Sequence, residues 1–97
     1  MAIKILWSKR AEQGYIGIVN YLEENWTDKE VSKFIRETNH FFELLKENPH
    51  LLELSQKQSN LFRGPINKLT ILTYHYIPQR NEVILVNIRS TRKKPLK

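Results

Sequence analysis

Cysteine is absent from this chain, which excludes disulfides and thiolate metal sites and fits a reducing cytosol. No apolar run approaches the roughly 20 residues needed to span a bilayer. The opening MAIKILW has neither the long apolar core nor the cleavage site of a signal peptide. The expectation is a soluble, cytoplasmic protein with no membrane partner. Glycine occurs only three times, and no glycine-rich phosphate loop can be drawn. His40, His50 and His75 fall in different elements without ligand spacing, so they read as structural or surface residues and no metal or other cofactor is implied. Ser8, Ser32, Ser55, Ser59 and Ser90 carry no nucleophile motif. Acids are scarcest of all in the second half: residues 55–97 hold only Glu82, which excludes a paired-carboxylate mechanism there.

That scarcity polarises the chain. Residues 1–54 carry seven Lys/Arg against nine Asp/Glu, a net −2, whereas residues 55–97 carry nine against one, a net +8. Such an asymmetry points to a polyanionic or acidic partner for the second half, or else to a soluble surface with a basic tail. At 97 residues the whole chain, 1–97, is expected to be one domain, because two halves would each be too small to bury a core unaided.

Taken in order, Ile3–Trp7 is a short apolar strand, and Ser8 can cap a helix through its hydroxyl. Ala11, Tyr15, Ile18, Val19 and Leu22 recur at helical spacing and predict a helix over Lys9–Glu24. Gly14 and Gly17 weaken it by up to about 1 kcal/mol each relative to Ala, and allow close packing against a second helix or a sheet. Thr27-x-x-Glu30 is a capping box that opens the second helix. Val31, Phe34, Ile35, Thr38, Phe41, Phe42 and Leu45 form its apolar stripe, and Asn48-Pro49 ends it. The short loop between the helices makes them antiparallel. Residues 50–59, with Leu51, Leu52 and Leu54, read as a connection.

The last third organises the rest. Strands are expected over Leu61–Ile66, Leu69–Ile77 and Glu82–Arg89, the last two joined by Pro78-Gln79-Arg80-Asn81 in a hairpin built around a type I turn. The fold class is therefore α+β: an N-terminal strand, an antiparallel helix pair, then a three-stranded antiparallel sheet, in the order β-α-α-β-β-β. Under strict alternation, Leu72, Tyr74 and Tyr76 share one face of their strand. In the last strand Ile84, Val86 and Ile88 oppose Val83, Leu85, Asn87 and Arg89. Alternation alone leaves open which set meets the helices.

The side chains that remain for chemistry are basic and phenolic: Arg63, Lys68, Tyr74, Tyr76, Arg89, Arg92, Lys93 and Lys94. Such a set can grip phosphates, stack bases or stabilise an anionic transition state. The plainer alternative is sheet packing for Tyr74 and Tyr76 and a solvated tail for residues 92–97.

The order of elements, with Trp7-Ser8 before the first helix, resembles the RelE/ParE toxins of bacterial type II toxin–antitoxin modules. The resemblance covers nearly the whole chain. It includes Ile18-Val19-x-Tyr21-Leu22, the Asn48-Pro49 helix stop, Arg63, Lys68, Tyr74 and the ending Thr91-Arg92-x-x-Pro95, which is similar to a T-R-x-N-P tail common in the group. It implies a small toxin silenced by a cognate antitoxin, and a target that is either DNA gyrase, as for ParE-like members, or mRNA on the ribosome, as for RelE-like ones. The ribonuclease members usually carry a His or Tyr near the C-terminal end. Ser90 stands about where some have His, and no Tyr follows Tyr76.

Arg63, Lys68 and Arg89 keep the phosphate-binding part of the pattern and are the catalytic candidates of a ribonuclease, with Lys68 its remaining proton carrier. The missing acid/base residue shifts the expectation toward a gyrase-binding toxin. A ribosome-dependent endoribonuclease and a decayed, non-toxic antitoxin-binding module are the alternatives. In either toxin Arg63, Lys68, Arg89, Arg92, Lys93 and Lys94 are expected to contact the target. The antitoxin is expected to wrap the chain with an extended or helical acidic segment, drawn by the basic second half and by the edges of a small sheet.

Overall fold

The computed structural model describes residues 3–54 and 60–91. Strand β1, Lys4–Trp7, leads into helix α1, Lys9–Asn25, and helix α2, Asp28–Glu47, follows after a two-residue break. Ser8 accepts from Ala11 N at 3.0 Å, so the cap works as its position predicts. The same hydroxyl donates to Val86 O at 3.0 Å, which ties the start of the helix to the sheet. At the start of α2, Thr27 Oγ1 accepts from Glu30 N at 3.3 Å while Glu30 Oε1 accepts from Thr27 N at 3.3 Å. This capping box satisfies two otherwise orphaned donors. The buried residues of α2 are Val31, Phe34, Thr38, Phe41, Phe42 and Leu45, with Ile35 at the margin of the stripe. Thr38 is tolerated there because its hydroxyl donates to Phe34 O at 2.9 Å.

The expected α+β order is present: the N-terminal strand joins the three antiparallel strands, and a fifth, short strand lies at the other edge. The strand order is β1-β5-β4-β3-β2, where β2 is Glu53–Leu54, β3 Leu61–Asn67, β4 Thr70–Ile77 and β5 Glu82–Ser90. Two corrections to the sequence reading follow. The connection assigned to residues 50–59 contains β2, a two-residue strand too short to show periodicity, while residues 55–59 lie outside the described part. The sheet is mixed, because β1 pairs parallel with β5 while the other pairs are antiparallel. A 3-10 turn, Pro78–Arg80, joins β4 to β5, and Asn81 closes it at φ 55°, a left-handed conformation that Asn tolerates better than most residues.

Both helices cover one face of the sheet. Ala11, Ile18 and Leu22 of α1 and the α2 stripe bury Phe62, Leu72, Tyr74, Val83, Leu85 and Ile88. Phe34 and Phe41 are inside, as the stripe requires. The two glycines of α1 differ. A methyl on Gly14 would overlap the Ile88 carbonyl oxygen and reach 3.0 Å from its carbonyl carbon, whereas one on Gly17 would meet nothing within 4 Å. Gly14 is thus the point where α1 rests on the backbone of β5.

The last strand breaks the alternation expected of it. Thr73 pairs with Asn87 but Tyr74 pairs with Leu85, so Val86 is an extra residue, a β-bulge. Val83, Leu85 and Ile88 therefore all face the helices, although strict alternation puts Ile88 opposite Leu85. The bulge leaves Asn87 and Arg89 on the outer face with Ile84.

Candidate functional site

The outer face of the sheet, away from the helices, can be read from the register. One row runs Leu6, Ile84, His75, Leu61. The next runs Asn87, Thr73, Arg63, Glu53. A third runs Arg89, Ile71, Pro65. Arg63 and Arg89 are both exposed. Two strand spacings of about 4.8 Å and a two-residue offset of about 6.8 Å separate their Cα atoms, about 12 Å in all. Each offers a planar fork of donors suited to a carboxylate or phosphate.

His75 shares this face. It lies two residues along β4 from Thr73, the partner of Arg63, which makes it a diagonal neighbour of that arginine at a Cα separation of about 7–8 Å. The lack of ligand spacing had set His75 aside. The signal that could have placed it is the alternation of β4 itself, once Tyr74 is known to point inward.

Tyr74 does so completely. It is fully buried, its ring stacks on Phe62 with centroids 5.1 Å apart, and its hydroxyl donates to Pro49 O at 2.6 Å and accepts from Leu52 N at 3.4 Å. Burial pushes its pKa up from the ordinary 10.0. Tyr74 is therefore a strut between the sheet and the end of α2, and the sheet-packing alternative holds for it. Tyr76 packs edge-on to His50 at 5.5 Å, and His50 edge-on to Phe62 at 5.4 Å. His50 completes this aromatic cluster.

Lys68 is not brought onto the outer face with the two arginines. It occupies the turn between β3 and β4 and lines a groove of about 550 Å³ beside α2, together with Trp26, Glu30, Glu37 and Leu44. The entry and exit of the hairpin are tied together, since Thr91 N donates to Leu69 O at 2.9 Å and Thr91 Oγ1 to Lys68 O at 2.8 Å. Arg92, Lys93 and Lys94 lie outside the described residues. Among the described residues no group of three His, Cys, Asp or Glu could hold a metal, and no helix is long and apolar enough to cross a membrane.

Comparison with known proteins bears on this arrangement. Residues 5–95 match a family model described as the ParE toxin of the type II toxin–antitoxin system parDE. No curated protein sequence matches. Among solved structures, the archaeal RelE–RelB complex from Pyrococcus horikoshii superposes with a TM-score of 0.64 at 11% identity, covering 97% of this chain and 100% of that one. The isolated E. coli RelE toxin gives 0.61 at 12% identity, covering 96% and 88%. The YoeB dimer from Staphylococcus aureus gives 0.59 at 17% identity, covering 92% and 97%. At these identities the likeness is one of fold.

Proposed function

The chain belongs to the ParE toxin family of type II toxin–antitoxin systems, and from that premise we propose that it arrests growth by binding DNA gyrase and is silenced by a cognate antitoxin. The observation that carries the gyrase reading is the placement of Arg63 and Arg89: two exposed arginines whose Cα atoms stand about 12 Å apart on one sheet face. Thr73, Ile71 and Asn87 lie around them. A face of this kind suits two-point docking on an acidic protein surface, where each arginine can hold its own carboxylate bidentately.

A second reading is favoured by His75. Its place diagonal to Arg63 supplies an imidazole where the sequence offered only Lys68 as a proton carrier. In a ribosome-dependent endoribonuclease Arg63 would hold the scissile phosphate and His75 would move a proton at the reacting oxygens.

One pair of assays separates the readings. The purified chain is added to gyrase with relaxed plasmid, and to a translation extract with a defined mRNA. Inhibition of supercoiling with intact mRNA is the expected result. Cleaved mRNA with normal supercoiling would replace the first reading by the second. Neither effect, together with normal growth on induced expression, would leave only an inactive antitoxin-binding module.

A further inference from the structure

Helix α1 lies along β5 and touches its backbone at Gly14. One turn later, at Gly17, the space beside the helix is open, and a pocket of about 280 Å³ lies there. Gly17, Ile18 and Leu22 line it from α1, and Leu69 and Ile88 from the sheet. Its polar residues include Gln13, Arg89 and Ser90, the first two exposed. Among the described residues around it none is acidic.

Arg89 thus bounds two surfaces. By register it belongs to the outer face of the sheet, and it also lines this pocket on the helix side. The reason is the length of β1, which pairs only with Glu82–Leu85 of β5. Past Leu85, β5 has no strand on that side among the described residues, and the two faces of the sheet meet around it.

Gly17 has no reason inside the molecule. A glycine within a helix weakens it relative to alanine. At Gly14 that weakening goes with the close approach to β5, because the Ile88 carbonyl occupies the space of a side chain. At Gly17 a methyl would meet nothing within 4 Å. The bare position keeps the pocket open instead.

Size and charge narrow the occupant. The volume of about 280 Å³ falls just short of the roughly 300–1,000 Å³ of small-molecule and cofactor sites. It suits one large apolar side chain. The arginine beside it calls for a carboxylate nearby, which its planar fork can hold bidentately. An apolar anchor that excludes water next to a charged pair is what concentrates binding energy at a protein interface. A second copy of this chain would bring one +6 molecule against another, whereas an acidic surface meets no such repulsion.

We propose that the pocket at Gly17 seats an apolar side chain of the target, from a segment that also carries the acid held by Arg89. This rests on the gyrase reading above and adds a third anchor to Arg63 and Arg89. Gly17→Leu tests it by filling the pocket from within. With the fold verified by circular dichroism, that variant should need about tenfold more protein or higher to inhibit supercoiling. A footprint on the binding step is the second measurement. The chain has no cysteine, so Gly17→Cys supplies a unique thiol in the pocket. Bound gyrase should slow its alkylation by N-ethylmaleimide about tenfold, read by mass spectrometry of this chain. A folded Gly17→Cys protein that no longer binds gyrase gives the same support as Gly17→Leu. Should Gly17→Leu fail to fold, the footprint decides. A folded Gly17→Leu protein that inhibits as well as the unaltered chain, or a thiol that reacts as fast with gyrase bound, overturns the pocket and leaves the gyrase reading standing. Protection of the thiol by the protein of the adjoining reading frame, and not by gyrase, overturns it too and gives the pocket to the antitoxin. An unaltered chain without effect on supercoiling overturns the gyrase reading, and this proposal with it.

Discussion

Gly14 and Gly17 sit one turn apart in the same helix, yet replacing each with alanine should move stability in opposite directions. The helix-propensity gain is common to both, up to about 1 kcal/mol per site. At Gly17 nothing lies within 4 Å of the added methyl, so that gain stands alone. A domain of this size shifts its melting temperature by roughly 4–8 °C per kcal/mol, and Gly17→Ala should therefore melt several degrees higher.

At Gly14 the methyl overlaps the Ile88 carbonyl. The obstacle is backbone, held by the pairing of Ile88 with Leu72 of β4, and it cannot rotate aside as a side chain would. Relief requires α1 to lift from the sheet, which loosens Ala11, Ile18 and Leu22 in the core and pulls on the bond from Ser8 Oγ to Val86 O. Overpacking of this kind costs about 3 kcal/mol at the upper end of its usual range, which leaves Gly14→Ala about 2 kcal/mol less stable after the propensity gain. The two variants should thus differ by about 3 kcal/mol in urea titrations with matching slopes. A Gly14→Ala protein as stable as Gly17→Ala would refute the close approach of α1 to β5 on which this reasoning depends.

Other outcomes follow from the same geometry. Arg63→Ala and Arg89→Ala should each abolish growth inhibition with an unchanged circular dichroism spectrum, since both side chains are exposed; a folded double variant that still inhibits growth would move the target surface elsewhere. Tyr74→Phe leaves the Pro49 carbonyl without its donor and should cost about 1–2 kcal/mol in urea denaturation. Burial raises the Tyr74 pKa above 10.0, so the folded state favours the neutral phenol. That contribution is fully present below about pH 10 and is lost as pH climbs through the raised pKa. Tyr74→Phe should lessen the alkaline loss of stability, with Tyr15, raised by burial as well, supplying another part. Thr27→Ala breaks the capping box of α2 and should cost about 1 kcal/mol, read from the same denaturation curves.

The helices were legible because their signals are local. Ser8, the Thr27–Glu30 box and Asn48-Pro49 act within one turn, and the α2 stripe repeats often enough to be unmistakable. The face of the sheet was not legible, because period-2 alternation names two faces without saying which is buried. Tyr74 resolves it only through bonds to Pro49 and Leu52, residues more than 20 positions away. The bulge at Val86 is invisible in the sequence, since Val86 and Asn87 suit either face, and it reverses the grouping of Ile88 with its neighbours. At the candidate site, Arg63 and Arg89 were identifiable by residue type alone. His75 was missed and Lys68 was expected beside the arginines because both placements depend on register and on the path of a turn.

The parallel pairing of β1 with β5 also sets a schedule for synthesis. Ser8 Oγ reaches Val86 O across 78 residues. A ribosome adding about 5–20 residues per second spends roughly 4–16 s on that interval. Throughout it, the first strand has been made but its neighbour has not, and the inner face of the sheet lacks Val83, Leu85 and Ile88. The strand that arrives last to close the core also carries Arg89. A nascent or prematurely terminated chain is thus short of both its fold and half of its proposed grip on the target. Under the proposed function only finished molecules endanger the cell that makes them, and the antitoxin has no unfinished copies to intercept.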